Sequence, residues 1–121
     1  MGLAAALLYG TGMRLLEGLR LRVKDIDAGN GIITVHDGKG GKNRVVPLPK
    51  SLAAALKMQA EKVGLMHRAD KAEGLGSVWL PHQLAAKYPK AAADLKWQWL
   101  FPSREICKDQ DGERRRHHLF P

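Results

Sequence analysis

Between Val23 and Leu48 the hydrophobic period changes from that of a helix to that of a strand, and this switch constrains the fold more than any other feature. Ile26, then Ile32, Ile33 and Val35, then Val45, Val46 and Leu48 form β-branched or apolar runs. They are separated by Ala28-Gly29-Asn30-Gly31 and by Asp37-Gly38-Lys39-Gly40-Gly41-Lys42-Asn43, both rich in turn formers. The pattern predicts a three-stranded antiparallel meander. Pro47 and Pro49 remove ladder donors and place the last strand at an edge. Helical patterns lie on either side, so the predicted fold class is α+β, with helices packed on the three-stranded sheet.

Upstream, Leu3 to Tyr9 is apolar on nearly every side and is expected to be buried all round as a helix. Its abrupt apolar start lacks a basic flank, which argues against a signal peptide and suggests a chain cut from something longer. Gly10 and Gly12 are expected to end this helix, because both tolerate a positive φ. A short second helix follows, with Leu15, Leu16 and Leu19 as its apolar face.

Downstream, a helix opens near Ser51 with Leu52, Ala55, Leu56 and Val63 on one face. Gly64 offers a cap, although the pattern can run on through His67, Arg68, Lys71 and Glu73. Gly74-Leu75-Gly76-Ser77 breaks the chain, and Pro81 opens a further helix through Leu84, Ala85 and Tyr88 that Pro89 disturbs. Lys96 to Pro102 alternates aromatic and polar residues and reads as a short strand or extended segment. The predicted division is a unit over 1–103, comprising helices (1–22), meander (23–48), helix (49–73) and an insert with an aromatic strand (74–103). Residues 104–121 are expected to form a basic, partly disordered tail.

The net charge of +8 favours a polyanionic partner, usually nucleic acid. The single Cys107 excludes an internal disulfide and fits a reducing, cytoplasmic setting. No apolar run reaches the roughly 18–20 residues a membrane span needs. His36, His67, His82, His117 and His118 give no ligand spacing with Cys107, so neither a metal nor another cofactor is expected. The glycine loop lacks the P-loop pattern.

Arg14 and Lys39, 25 residues apart, are the residues best suited to phosphate chemistry. An arginine after a glycine turn ordinarily forms a surface ion pair, but here a helix start and a guanidinium fork coincide, and both suit phosphate oxygens. Lys39, between glycines at a hairpin tip, is either a solvated lysine guarding an edge strand or a proton donor at a reacting phosphate. Lys42 and Arg44 extend the positive patch as DNA-backbone contacts. Trp97 and Trp99 would face opposite sides of a strand, one in the core and one available for stacking on a base. The run Arg114-Arg115-Arg116-His117-His118 is either a nucleic-acid element or a solvated charged tail.

Leu8-Tyr9-Gly10-Thr11-Gly12-Met13-Arg14, with Glu17 and Leu19, resembles the first catalytic-arginine motif of the tyrosine recombinases (the phage integrase family). Val23-Lys24-Asp25-Ile26-Asp27 resembles the segment that follows it, and Gly38 to Leu48 resembles the hairpin carrying that family's catalytic lysine. Leu80-Pro81-His82-Gln83-Leu84, Lys87-Tyr88-Pro89 and Trp97 to Ser103 are similar to the extra segment of integron integrases, and Arg115-Arg116-His117-His118 to their next landmark. The resemblance implies DNA breaking and rejoining through a phosphotyrosyl link, with no metal or nucleotide. It implies that Arg14 holds the scissile phosphate, Lys39 protonates the leaving oxygen and Glu17 supports Arg14. Lys42, Arg44, Arg115 and Arg116 would contact DNA, and Trp97, His117 and His118 would meet extrahelical bases of folded single-strand sites.

The family pattern continues with H-x-x-R and a nucleophilic tyrosine, whereas no histidine here is followed three residues later by arginine. Tyr9 and Tyr88 both precede the position of the nucleophile. The expectation is therefore the front half of a recombinase catalytic domain, inactive alone, which binds attachment-site DNA and associates with itself or with full-length recombinase. A small basic DNA- or RNA-binding module and a protein-interaction fragment are the alternatives.

Overall fold

Ile33 and Val35, fully buried in the middle strand, mark the face of the sheet on which the helices pack. The computed structural model describes residues 2–36, 43–80, 82–88, 90–108 and 114–119. Lys39 and Lys42 therefore lie outside the described residues. The predicted meander is present as β1 (Ile26–Asp27), β2 (Ile32–His36) and β3 (Asn43–Pro47), in the order β1-β2-β3. Both pairings are antiparallel, with Ile26 opposite Ile33 and Val35 opposite Arg44. Gly31, at φ +66°, closes the first turn in a conformation that a side chain disfavours. β3 is the edge strand that its prolines predict.

Helix α1 (Gly2–Thr11) ends where Gly12, at φ +70°, donates its N–H to the Leu8 carbonyl at 2.9 Å, an αL cap. It is not buried all round. Only Ala4 and Leu7 are buried and Tyr9 is 94% exposed, because the described elements pack on one side of it. In the short α2 (Leu15–Leu19), Leu19 alone of the predicted apolar face is buried, and Leu15 and Leu16 stand at the surface. Five residues per helix cannot turn three leucines, two of them adjacent, toward one core.

Helix α3 (Ala53–Ala72) passes straight through Gly64 and buries Leu56, Val63, His67 and Asp70 in one stripe. Its stop is Gly74, at φ +77°. The N–H groups of Gly74 and Leu75 return to the Lys71 and Asp70 carbonyls at 3.0 and 2.8 Å, a Schellman motif. The insert that follows contains α4 (His82–Lys87) and two single-turn 3₁₀ segments, Ala91–Ala93 and Leu95–Trp97. The expected aromatic strand is thus a tight turn at Trp97, and Trp99 alone bridges antiparallel to Arg22. Asp94 caps that turn by accepting from the Lys96 N–H at 3.1 Å.

The expected flexible tail beyond 103 is replaced, in the described residues, by a hairpin of β4 (Pro102–Lys108) and β5 (Arg114–His118). The core joins Leu7, Met13, Leu19, Leu21, Ile33 and Val35 to Leu56, Leu100 and Phe101. Each fully buried leucine there contributes about 1.5–3 kcal/mol. No described helix is long and apolar enough to cross a membrane.

Candidate nucleic-acid interface

Arg14 precedes α2 with extended backbone, and its N–H donates to Glu17 Oε1 at 2.8 Å. The same carboxylate accepts both terminal nitrogens of Arg44, at 2.6 Å (Nη1 to Oε2) and 2.8 Å (Nη2 to Oε1). The register explains the meeting. Arg44 lies opposite buried Val35, so it shares the helix-facing side of the sheet at its edge. The Arg44 fork and the Arg14 amide hold the Glu17 carboxyl down at about 2, well below its ordinary 4.5, so it is ionised throughout the physiological range. The Arg14 side chain is exposed, and its guanidinium makes none of the hydrogen bonds among the described residues.

A second carboxylate repeats this arrangement deeper in the protein. Asp25, 2% exposed, accepts the Arg22 N–H at 2.9 Å and faces the His36 Nε2 at 2.8 Å and the Lys24 ammonium at 3.3 Å. His36 lies opposite Asn43, and their side chains meet at 3.0 Å across the base of the β2–β3 hairpin. The hairpin that springs from this base is thus anchored on one edge to Glu17 and on the other to Asp25.

Beyond Asp25 lies an open cleft of about 520 Å³, lined by Lys87, Tyr88, Lys90, Ala91, Asp94 and Trp97. Tyr88 is half exposed, and the Lys24 ammonium sits 4.6 Å from the Trp97 ring centre. Trp97 and Trp99 do not point to opposite sides of a strand. Both flank the Arg22 guanidinium, at 5.5 and 3.9 Å, with Trp99 in the core and Trp97 partly open. The cleft therefore combines two aromatic residues with Lys87, Lys90 and one carboxylate, Asp94, and Lys24 stands at its Trp97 wall, a composition that suits single-stranded nucleic acid.

The β5 residues are held at different strengths. The Arg116 fork is occupied by Asp70 of α3, with Nε and Nη2 at 2.7 and 2.8 Å from the two carboxylate oxygens. Its Nη1 donates to the Ser103 and Arg104 carbonyls. This pairing raises the Arg116 pKa. Arg115 and His117 are half-buried and also engaged. His118 sets its ring edge-on to Trp99, at 5.2 Å and 78°, and burial pushes its pKa below the ordinary 6.5.

The sequence reading missed Arg22, Asp25, His36 and Asp70. The signal for the first pair was present: Arg22-x-x-Asp25 repeats the spacing of Arg14-x-x-Glu17, and a charged pair inside an apolar run must be paired if buried. Asp70 carried no comparable signal, because its partner is 46 residues away.

The sequence matches the phage integrase family over residues 2–119. It is 46% identical over 119 residues to an integrase/recombinase of Escherichia coli and, equally, to one of Pseudomonas aeruginosa. Each match covers 98% of this chain and 35% of the relative, so the chain spans about a third of those proteins' length. The tyrosine recombinase XerA of Thermococcus kodakarensis is 42% identical over 73 residues, which is 60% of this chain and 24% of that protein.

Proposed function

The chain belongs to the phage integrase family, and from that membership we propose that it carries the phosphate-holding part of a site-specific DNA recombinase of the integron integrase type. The observation that supports this most is the Glu17 carboxylate, which ties the Arg14 backbone and the base of the lysine-bearing hairpin into one corner. Arg14, anchored at its amide with its side chain exposed, would grip the scissile phosphate, and Glu17 holds it in place. Lys39 would give its proton to the leaving oxygen. Lys42 contacts the DNA backbone, while Arg44, its fork taken by Glu17, fixes the base of the hairpin. Trp97 stacks on an extruded base of a folded single strand, with Lys24, Lys87 and Lys90 beside it for phosphates. His117, His118 and Arg115 would add DNA contacts from β5, the strand that Arg116 fixes to α3 through Asp70.

Tyr9 and Tyr88 lie on α1 and just after α4, and neither belongs to the Arg14–Glu17–Arg44 corner. The proposal is that these residues bind and orient DNA without cutting it. A nicked attachment-site substrate that traps phosphotyrosyl adducts tests this. The chain alone should retard the substrate yet leave no adduct on a denaturing gel, and a covalent adduct would overturn the reading. The exposed Tyr9, Leu15 and Leu16 support a second activity, association with another recombinase copy. Co-purification with a full-length recombinase should be lost in Leu15→Ser/Leu16→Ser; its persistence would remove that activity from the proposal.

A further inference from the structure

Arg22 has no part in the phosphate-handling scheme, yet it is 7% exposed and engaged at both ends of its fork. Nη1 donates to the Trp97 carbonyl at 2.6 Å and Nη2 to the Trp79 carbonyl at 2.8 Å, while the guanidinium carbon Cζ lies over the Trp99 ring, 3.9 Å from its centre. One side chain thus holds two stretches of the insert, 18 residues apart, against the core. The backbone does the same, because the Val23 N–H donates to the Gln98 carbonyl and the Leu100 N–H to the Leu21 carbonyl, at 2.9 and 2.8 Å. On its other side this segment reaches the hairpin. Asp25 takes the Arg22 N–H and faces His36, and Lys24 bridges from Asp25 to the Trp97 ring. A lysine could not replace Arg22, since one ammonium on a flexible stem does not span two carbonyls while also covering an indole face.

We propose that Arg22 is a positioning residue that sets the Trp97 wall of the cleft and, through Asp25 and His36, links that wall to the base of the β2–β3 hairpin. A change at the cleft is then felt at the hairpin base, with no large movement between them. Only the ligand half of the test rests on the reading of the cleft as a base site.

The 121-residue chain, labelled for NMR, supports both halves. Without ligand, Arg22→Lys should shift the indole N–H signals of Trp79, Trp97 and Trp99 and the ring signals of His36. Exchange of the Val23 and Leu100 amides should speed up about tenfold or more as the local clasp opens. Asp25→Asn, which keeps the shape, should shift both His36 and Trp97, and it carries the test if Arg22→Lys does not fold. Leu56→Ala, a core truncation outside the segment, should lower stability and leave the Trp97 and His36 signals in place. Unmoved Trp97 and His36 signals in Arg22→Lys or Asp25→Asn would overturn the proposal. With an oligothymidylate of about 12 nucleotides, Trp97 and His36 should respond with one midpoint in the wild type, and His36 should fall silent in Asp25→Asn. Separate midpoints in the wild type would overturn the link. An oligonucleotide that leaves Trp97 unmoved would reject the base-site reading, with the clasp judged on the ligand-free result.

Discussion

Glu17 takes three hydrogen bonds from two arginines, and those donors hold its pKa at about 2. A carboxyl depressed in the folded state contributes its full stability above its unfolded value of 4.5 and loses it as pH falls through about 2. Glu17→Gln should therefore lower the urea midpoint at pH 7, with a destabilisation of about 1 kcal/mol for this partly open pair. The gap between wild type and variant should close between pH 4.5 and 2; a gap that persists at pH 2 would remove the ion pair as its cause. His118 has the opposite charge logic and the same direction. Burial lowers its pKa below 6.5, so the unfolded chain takes up the proton first and stability falls as pH drops through that value. His118→Gln should flatten the loss of stability between pH 7 and 5 in thermal melts. The Arg116–Asp70 fork is well enclosed, and Asp70→Ala should cost about 2–3 kcal/mol by leaving a half-buried guanidinium unpaired.

Among the elements, those with local signals were legible. Turn glycines and β-branched runs specify the meander, and Gly12 ends α1 as its permissive φ predicts, whereas Gly10, expected to share that role, lies inside the helix. Gly64 and Gly74 show where local reading stops. Either could end α3; the helix runs on to Gly74, and the turns past Gly64 bring Asp70 to the Arg116 fork. Gly74→Ala should destabilise by about 1 kcal/mol, since a side chain resists its positive φ. Gly64→Ala should stabilise by up to about 1 kcal/mol, because the added methyl meets Leu95 at an ordinary 3.8 Å. Opposite signs in chemical denaturation check both. The β4–β5 hairpin was read as a tail because its strands are polar and charged. What pins them is distant: Asp70 on Arg116, Trp99 on His118 and the Phe101 carbonyl on the Leu119 N–H. The turn at Trp97 escaped the reading for the same reason, since Arg22 fixes it from 75 residues away. Of the candidate site, the arginine and its supporting acid stood out through a motif. The buried Arg22–Asp25–His36 connection is a matter of packing.

Across the whole molecule the net charge is +8, and Lys87 and Lys90 line the aromatic cleft. Binding to single strands should fall with salt at a log–log slope near −0.7 for each phosphate neutralised, and Arg14→Ala should make that slope shallower by about one phosphate's worth. In the proposed function this surface would recognise folded single-stranded DNA through an unpaired base at Trp97. Fluorescence anisotropy tests it most directly, by comparing affinity for a stem-loop bearing extrahelical bases with that for the same stem fully paired. One stacked base contributes about 1–3 kcal/mol, so the account predicts a preference of about fivefold to a hundredfold for the stem-loop, abolished in Trp97→Ala. Equal affinity for the two DNAs, or a preference that survives Trp97→Ala, would contradict it.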